Sequence, residues 1–181
     1  MLIYTLSVPP SMVVLVAVEG KNAPGEKIRV GHRLATTHGE QLVVLHVISQ
    51  ETFDQRHSSS LSGESDGSFG DLGGLAPGGD SQRSQTSTEG TYTLETAQRD
   101  GQLIAKAATE ETLEEATDIS YRGRVGDPAE EILAEAEHEN TQYIVIGGRK
   151  RSPVGKAFFG STTQSVLLRA TNPVVTVMDQ E

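Results

Sequence analysis

Four stretches of this 181-residue chain are apolar without alternation: MVVLVAV (12–18), LVVLHVI (42–48), YIVIG (143–147) and VVTVM (174–178). β-branched runs that lack polar alternate positions belong to strands covered on both faces, as in a parallel sheet. A fifth run, ISYRGRV (119–125), is more polar and is expected at an edge. Between these runs the spacing turns helical. Residues 25–37 precede Gly39, which suits a C-cap. Residues 92–116 carry Leu94, Ala97, Ile104 and Ala108 at roughly helical spacing. A third helix is announced by Asp127 as cap, Pro128 in the first turn and Glu130 at the third position, with Ile132, Leu133 and Ala136 as its apolar face. A fourth starts at Ser161, with Gln164 three residues on as a capping box, and stops before Asn172-Pro173. The order β-α-β-α-β-α-β-α-β predicts an α/β fold: a doubly wound, five-stranded parallel sheet in three layers. Such sheets bind ligands at the carboxyl ends of their strands, where strand order reverses.

Residues 51–90 break the pattern. They hold 8 Gly and 9 Ser among 40 positions, seven acids, and only Arg56 and Arg83 as arginine or lysine. Too little apolar surface is available there to offset the entropy of ordering. A flexible acidic insertion is expected within a single domain spanning 12–178, preceded by an extension over 1–11. A sharper reading of the insertion is a lid or docking loop, since Leu61, Phe69, Leu72 and Leu75 are scattered through it.

Charge and composition narrow the function classes. The formal charge is −10 and cysteine is absent. Disulfides, thiolate metal sites and cysteine nucleophiles are therefore excluded. The acidic balance argues against nucleic acid as a partner. It fits either an ordinary acidic protein or one suited to a salty cytoplasm. MLIYTLSVPPS lacks a basic n-region and is interrupted by Pro9-Pro10, so neither secretion nor a membrane segment is expected, and the expected location is cytoplasmic.

Against that acidic background GGRKRSPVGKAFFGST (147–162) stands out. Arg149, Lys150, Arg151 and Lys156 fall within eight residues, and no acid occurs from Gly147 to Ala170. The strand ending at Gly147 runs into this loop, and a helix opens at Ser161. Free amides at a helix N-terminus attract anions. Gly160 lets a ligand approach the backbone, and Ser161 and Thr162 add hydroxyl donors. The plain alternative is a solvated basic loop whose glycines make turns. The segment is not a phosphate-binding P-loop: five residues before Gly155-Lys156 stands Lys150, and Ala157 follows. VEGKNAPG after the first strand is no dinucleotide fingerprint, and no SGGxDS-like loop occurs.

Other sites fail on spacing. His32 and His38, six apart, do not share a helix face for a metal. His46 reads as a core or site-edge residue. GESDG (63–67) has the letters of a G-x-S-x-G, but it lies in the Gly/Ser-rich insertion and not at a strand-to-helix turn, so no Ser-His-Asp triad is supported, and EEILAEAEHE reads most simply as a solvated acidic face. Neither a catalytic group nor a metal ligand set is expected.

Taken together, VLVAVEG, THGEQLVVLHV, GDPAEEILAEAEHENTQYIVIGGR and GSTTQSVLLRATNPVVTV resemble, in order, the strands and helices of the universal stress proteins. The resemblance covers nearly all of the chain outside 1–11 and 51–90. It implies a Rossmann-like fold of the adenine-nucleotide alpha-hydrolase type. The nucleotide-binding branch of that family carries G-x-x-G-x9-G-[ST]. Gly147, Gly160 and Ser161 fit it, whereas Lys150 stands at the second glycine and Glu19 replaces the usual first-strand Asp. By resemblance, Ala17 and Val47 line an adenine pocket, Glu19 reaches the ribose, Gly147 faces ribose and phosphates, and Gly160, Ser161 and Thr162 hold the phosphate chain, with Lys150 adding charge or filling the site. The implied ligand is ATP or another adenine nucleotide, with Mg²⁺ as companion. The implied partner is a second copy of the chain, paired through the last strand (Val174, Val175, Val177). Two functions follow from these residues. One is a nucleotide-binding stress regulator with at most slow ATP hydrolysis. The other is a homodimeric interaction protein that binds no nucleotide and docks unknown protein partners on its acidic insertion.

Overall fold

The computed structural model describes residues 12–20, 25–62, 91–114, 118–148 and 159–178. Five strands, β1 (Val13–Val18), β2 (Gln41–Ser49), β3 (Ile119–Gly126), β4 (Thr141–Gly148) and β5 (Val174–Met178), form one parallel sheet in the order β3-β2-β1-β4-β5. The helices are α1 (Glu26–His38), α2 (Gln50–Ser62), α3 (Leu94–Thr112), α4 (Pro128–His138) and α5 (Ser161–Arg169). The expected doubly wound α/β class holds, and polar β3 is an edge strand as its sequence implies.

Two apolar layers flank the sheet. Val14, Val16, Leu42, Val44 and Val145 meet Ile28 and Ala35 of α1 and Ala105 and Ala108 of α3. Val13, Leu15, Val43, Leu45, Ile144 and Ile146 meet Ala129, Ile132 and Ala136 of α4 and Val166 of α5. The central strands send side chains to both layers, which is why their sequences show no polar alternation. From β1 the chain builds outward through β2 to β3, then crosses to β4 on the other side of β1. The order therefore reverses between β1 and β4, the position where such sheets bind ligands.

The caps follow the sequence reading at two ends, Gly39 and Asp127, and the structure adds a third. Gly39 takes φ +69° and closes α1. The Asp127 carboxylate accepts from the amides of Ala129 and Glu130, with Pro128 in the first turn. The α3 start is capped by the Thr93 hydroxyl, which accepts from the Thr96 amide. The fourth expected helix differs in detail. Its N-cap is Gly160 and no described side chain caps it, so the expected Ser161–Gln164 capping box does not form.

The largest departure is α2, which continues directly from β2 through the first twelve positions of the expected flexible insertion. The Ser49 hydroxyl accepts from the Thr52 amide at 3.2 Å and starts the helix. The other end is tied to the residues before α3. His57 Nδ1 donates to the Tyr92 carbonyl at 2.7 Å, the Tyr92 amide donates to Ser60 at 2.9 Å, and the Tyr92 hydroxyl donates to Asp100 at 2.9 Å. Phe53 packs beside both His57 and Tyr92. These polar ties replace the apolar burial that α2 lacks. The N-terminal extension, residues 63–90 of the insertion with Phe69, Leu72 and Leu75, and residues 115–116 at the expected end of the second helix lie outside the described residues.

The reading of α4 as a solvated acidic face needs correction at Glu135, which is 1% exposed. Arg122 and Arg124 are alternate residues of β3 and point to the same side. Arg124 Nε and Nη2 reach Glu135 Oε2 at 2.7 and 2.5 Å, and Arg122 Nη2 reaches Glu139 at 2.9 Å. Two guanidinium groups thus take the carboxylates inward and fasten α4 to the edge strand. Glu135, His138 and Glu139 lie close enough to share a cation, but the two carboxylates are already committed to arginines.

Candidate functional site

At the reversal point the tips of β1 and β4 and the first turn of α5 enclose a cavity of about 190 Å³. Its walls are Ala17, Val18, Leu45, Val47 and Ile146 from the strands, Pro128 and Ile132 from α4, and Thr162 and Thr163 from α5, with Glu19 and Gly147 at the strand tips. Of the residues singled out from sequence, Ala17, Glu19, Val47, Gly147 and Thr162 meet here. Gly160 and Ser161 do not line the cavity; they begin the helix whose next two residues do. Lys150, with Arg149, Arg151 and Lys156, lies outside the described residues.

The apolar walls follow from strand alternation. Ala17, Leu45 and Val47 point to the α4/α5 side, and Ile132 on the inward face of α4 completes the surface. The polar end is built by α5. The Thr163 hydroxyl donates to the Gly147 carbonyl at 2.7 Å and ties the first helical turn to the β4 tip. The α5 first turn carries no acid, and the leading amides of any helix have no partner within it.

The electrostatics turn on a residue that sequence reasoning missed. Lys27, in the first turn of α1, donates to Glu19 Oε2. The lysine is 3% exposed and the glutamate 69%. Lys27, Gly31 and Ala35 recur at intervals of four on the buried face of α1. A Cβ at Gly31 would lie 2.2 Å from a Val16 methyl, so this glycine is what lets α1 approach β1 closely enough. The pair closes over Gly147, where a Cβ would sit 3.1 Å from both Glu19 Oε1 and Lys27 Nζ. The available signal was the inward position of one of only five lysines; its partner was not readable.

His46 lies just behind the pair and is 8% exposed. Its Nδ1–H donates to the Val18 carbonyl at 2.9 Å. Burial pushes the imidazole below its usual 6.5, while the bond to Val18 and the charge of Glu19 oppose that shift. It is a satisfied core residue at the edge of the site, as its strand context implies.

A mostly apolar cavity thus lies at the reversal point of a parallel α/β sheet, beside a helix start that no described side chain caps. The sequence profile of the Universal stress protein family matches residues 76–178, more than half of the chain, and the chain belongs to that family. It is similar to a universal stress protein of Mycolicibacterium smegmatis, 41% identical over 51 residues, a stretch that spans 28% of this chain and 39% of that protein. Among solved structures, a universal stress protein of Archaeoglobus fulgidus superposes with a TM-score of 0.57 at 24% identity, covering 91% of this chain and 97% of that one. A family member from Burkholderia pseudomallei gives 0.53 at 18% identity, covering 93% and 97%. A universal stress protein of Archaeoglobus fulgidus in complex with dAMP gives 0.50 at 19% identity, covering 92% and 98%. At these identities the superpositions establish a shared fold.

Proposed function

We propose that this chain is a regulatory protein that binds an adenine nucleotide in the cavity between β1, β4 and α5. The observation that carries this reading is the acid-free first turn of α5, which no described side chain caps, opening beside an apolar cleft at the sheet's reversal point. Ala17, Leu45, Val47, Ile132 and Ile146 offer flat apolar walls to a purine. Glu19 and Gly147 face the sugar. The amides at the start of α5, with Ser161 and Thr162, solvate the phosphates, and Gly160 leaves the backbone approachable. Lys150 would add charge at the phosphates. The cavity is smaller than the roughly 300–1,000 Å³ of pockets that enclose a whole ligand, so the phosphates extend over the helix start. Support from relatives is the family membership and the dAMP complex of the Archaeoglobus fulgidus protein.

Glu19 is the one carboxylate in the described lining, and Lys27 already holds it. Nothing there favours a protein-held cation, and Mg²⁺ would arrive with the phosphates. The function proposed is binding, with at most slow ATP hydrolysis.

Titration calorimetry with ATP tests the reading. Saturable heat that Gly160→Asp abolishes is expected. A folded wild-type protein giving no heat at millimolar ATP leaves the interaction-protein function in its place.

β5 pairs only with β4 among the described residues and presents an outer edge, with Val174 and Val175 partly buried and Val177 buried. A homodimer through this edge, with a role in the stress response, is the second part of the proposal. Light scattering would give twice the chain mass for wild type and the single mass for Thr176→Pro, since the Ile144 amide bonds to the Pro173 carbonyl, which turns the Val175 amide toward β4 and the Thr176 amide to the outer edge.

A further inference from the structure

Lys27 is a costly residue where it stands. Its side chain is 3% exposed, and it sits in the first turn of α1, the end of a helix whose dipole disfavours a cation. An apolar side chain of similar length would fill the same space without desolvating a charge. Its partner does not repay that cost as a sealed ion pair would, because Glu19 stays 69% exposed. What the lysine does is hold an otherwise free carboxylate in one place. Glu19 lines the cavity and Lys27 does not; the ammonium grips Oε2 from the α1 side, and Oε1 rests over Gly147 at the mouth.

We propose that Lys27 is a positioning residue, fixing Glu19 so that one carboxylate oxygen is held by the ammonium and the other is presented to the hydroxyl groups of a ligand sugar. This assignment rests on the nucleotide reading of the cavity. It adds that sugar selectivity is set from behind the site by a side chain the ligand never touches. An exposed glutamate without a grip would spread over its rotamers and pay their entropy at each binding event.

The test compares ATP with dideoxy-ATP, which lacks both ribose hydroxyls, by calorimetry on wild type and Lys27→Met. Wild type is expected to prefer ATP by about tenfold to a hundredfold, the range of a hydrogen bond to a charged group. In Lys27→Met the preference falls towards unity while the dideoxy-ATP affinity stays at the wild-type value, which also reports an intact fold. A preference that survives in Lys27→Met overturns the assignment, as does an equal loss of both nucleotides. If wild type binds both equally, Glu19 makes no sugar contact, and the positioning role alone is lost. If wild type binds neither, the nucleotide reading fails and takes the assignment with it.

Discussion

Two ion clusters lie on opposite sides of the sheet, and their exposure is inverted. On the α4 side the acid is hidden: Glu135 is 1% exposed and the arginines that grip it are 36% exposed. On the α1 side the cation is hidden and the acid, Glu19, is open. The first arrangement has geometry suited to fastening, with two guanidinium groups clamping a helix to an edge strand that has only one strand neighbour among the described residues. The second leaves a carboxylate facing a cavity. A buried acid held from outside stabilises a fold; an open acid held from inside presents a functional group. Similar charges reach different ends because β3 is at the edge and the β1–β4 boundary is at the reversal point.

That contrast can be broken most forcefully at Glu135. Glu135→Ala removes the acceptor for Arg124 and opens a hole under α4, and should cost about 3 kcal/mol in urea unfolding. A cost near zero would show that the clamp is ornamental. Thr163→Val removes the bond from the α5 turn to the Gly147 carbonyl and should cost about 1 kcal/mol. It should also weaken ATP binding, since the turn is then free to move. Lys27→Met should change stability by less than about 1 kcal/mol, because the remaining Glu19 is already solvated. A loss as large as that of Glu135→Ala would make the two clusters equivalent.

The smallest effect is expected with pH. Burial holds the His46 proton affinity below its usual 6.5 in the folded protein. The folded chain therefore binds this proton less readily than the unfolded chain. The full stability is present above about pH 6.5 and declines as pH falls through the lowered folded value. Urea unfolding at a series of pH values should show this decline, and His46→Gln should remove its share of the slope.

The strands were legible because each central strand feeds two apolar layers, and the runs at 12–18, 42–48, 143–147 and 174–178 fall within a residue or two of β1, β2, β4 and β5. The cap of α4 was legible because Asp127-Pro128 is a purely local signal. Helix α2 was not. QETFDQRHSSSLS has little to bury, and its ties run to Tyr92, thirty residues further on, which composition does not display. Glu135 looked like one more surface acid because Arg122 and Arg124 belong to another element. Lys27 is the same lesson at the site. Five of the residues named from sequence line the cavity, but the grip on Glu19 depends on how α1 crosses β1 and β4. That crossing is a tertiary fact, set by the close approach at Gly31.

The most direct measurement is an amide correlation spectrum of isotope-labelled protein titrated with ATP. Saturable shifts are predicted at Ala17–Glu19, Val47, Gly147 and Ser161–Thr163, with α2 and the start of α3 unmoved. Shifts gathered around Tyr92 and α2 instead, or none at saturating ATP, would contradict the account.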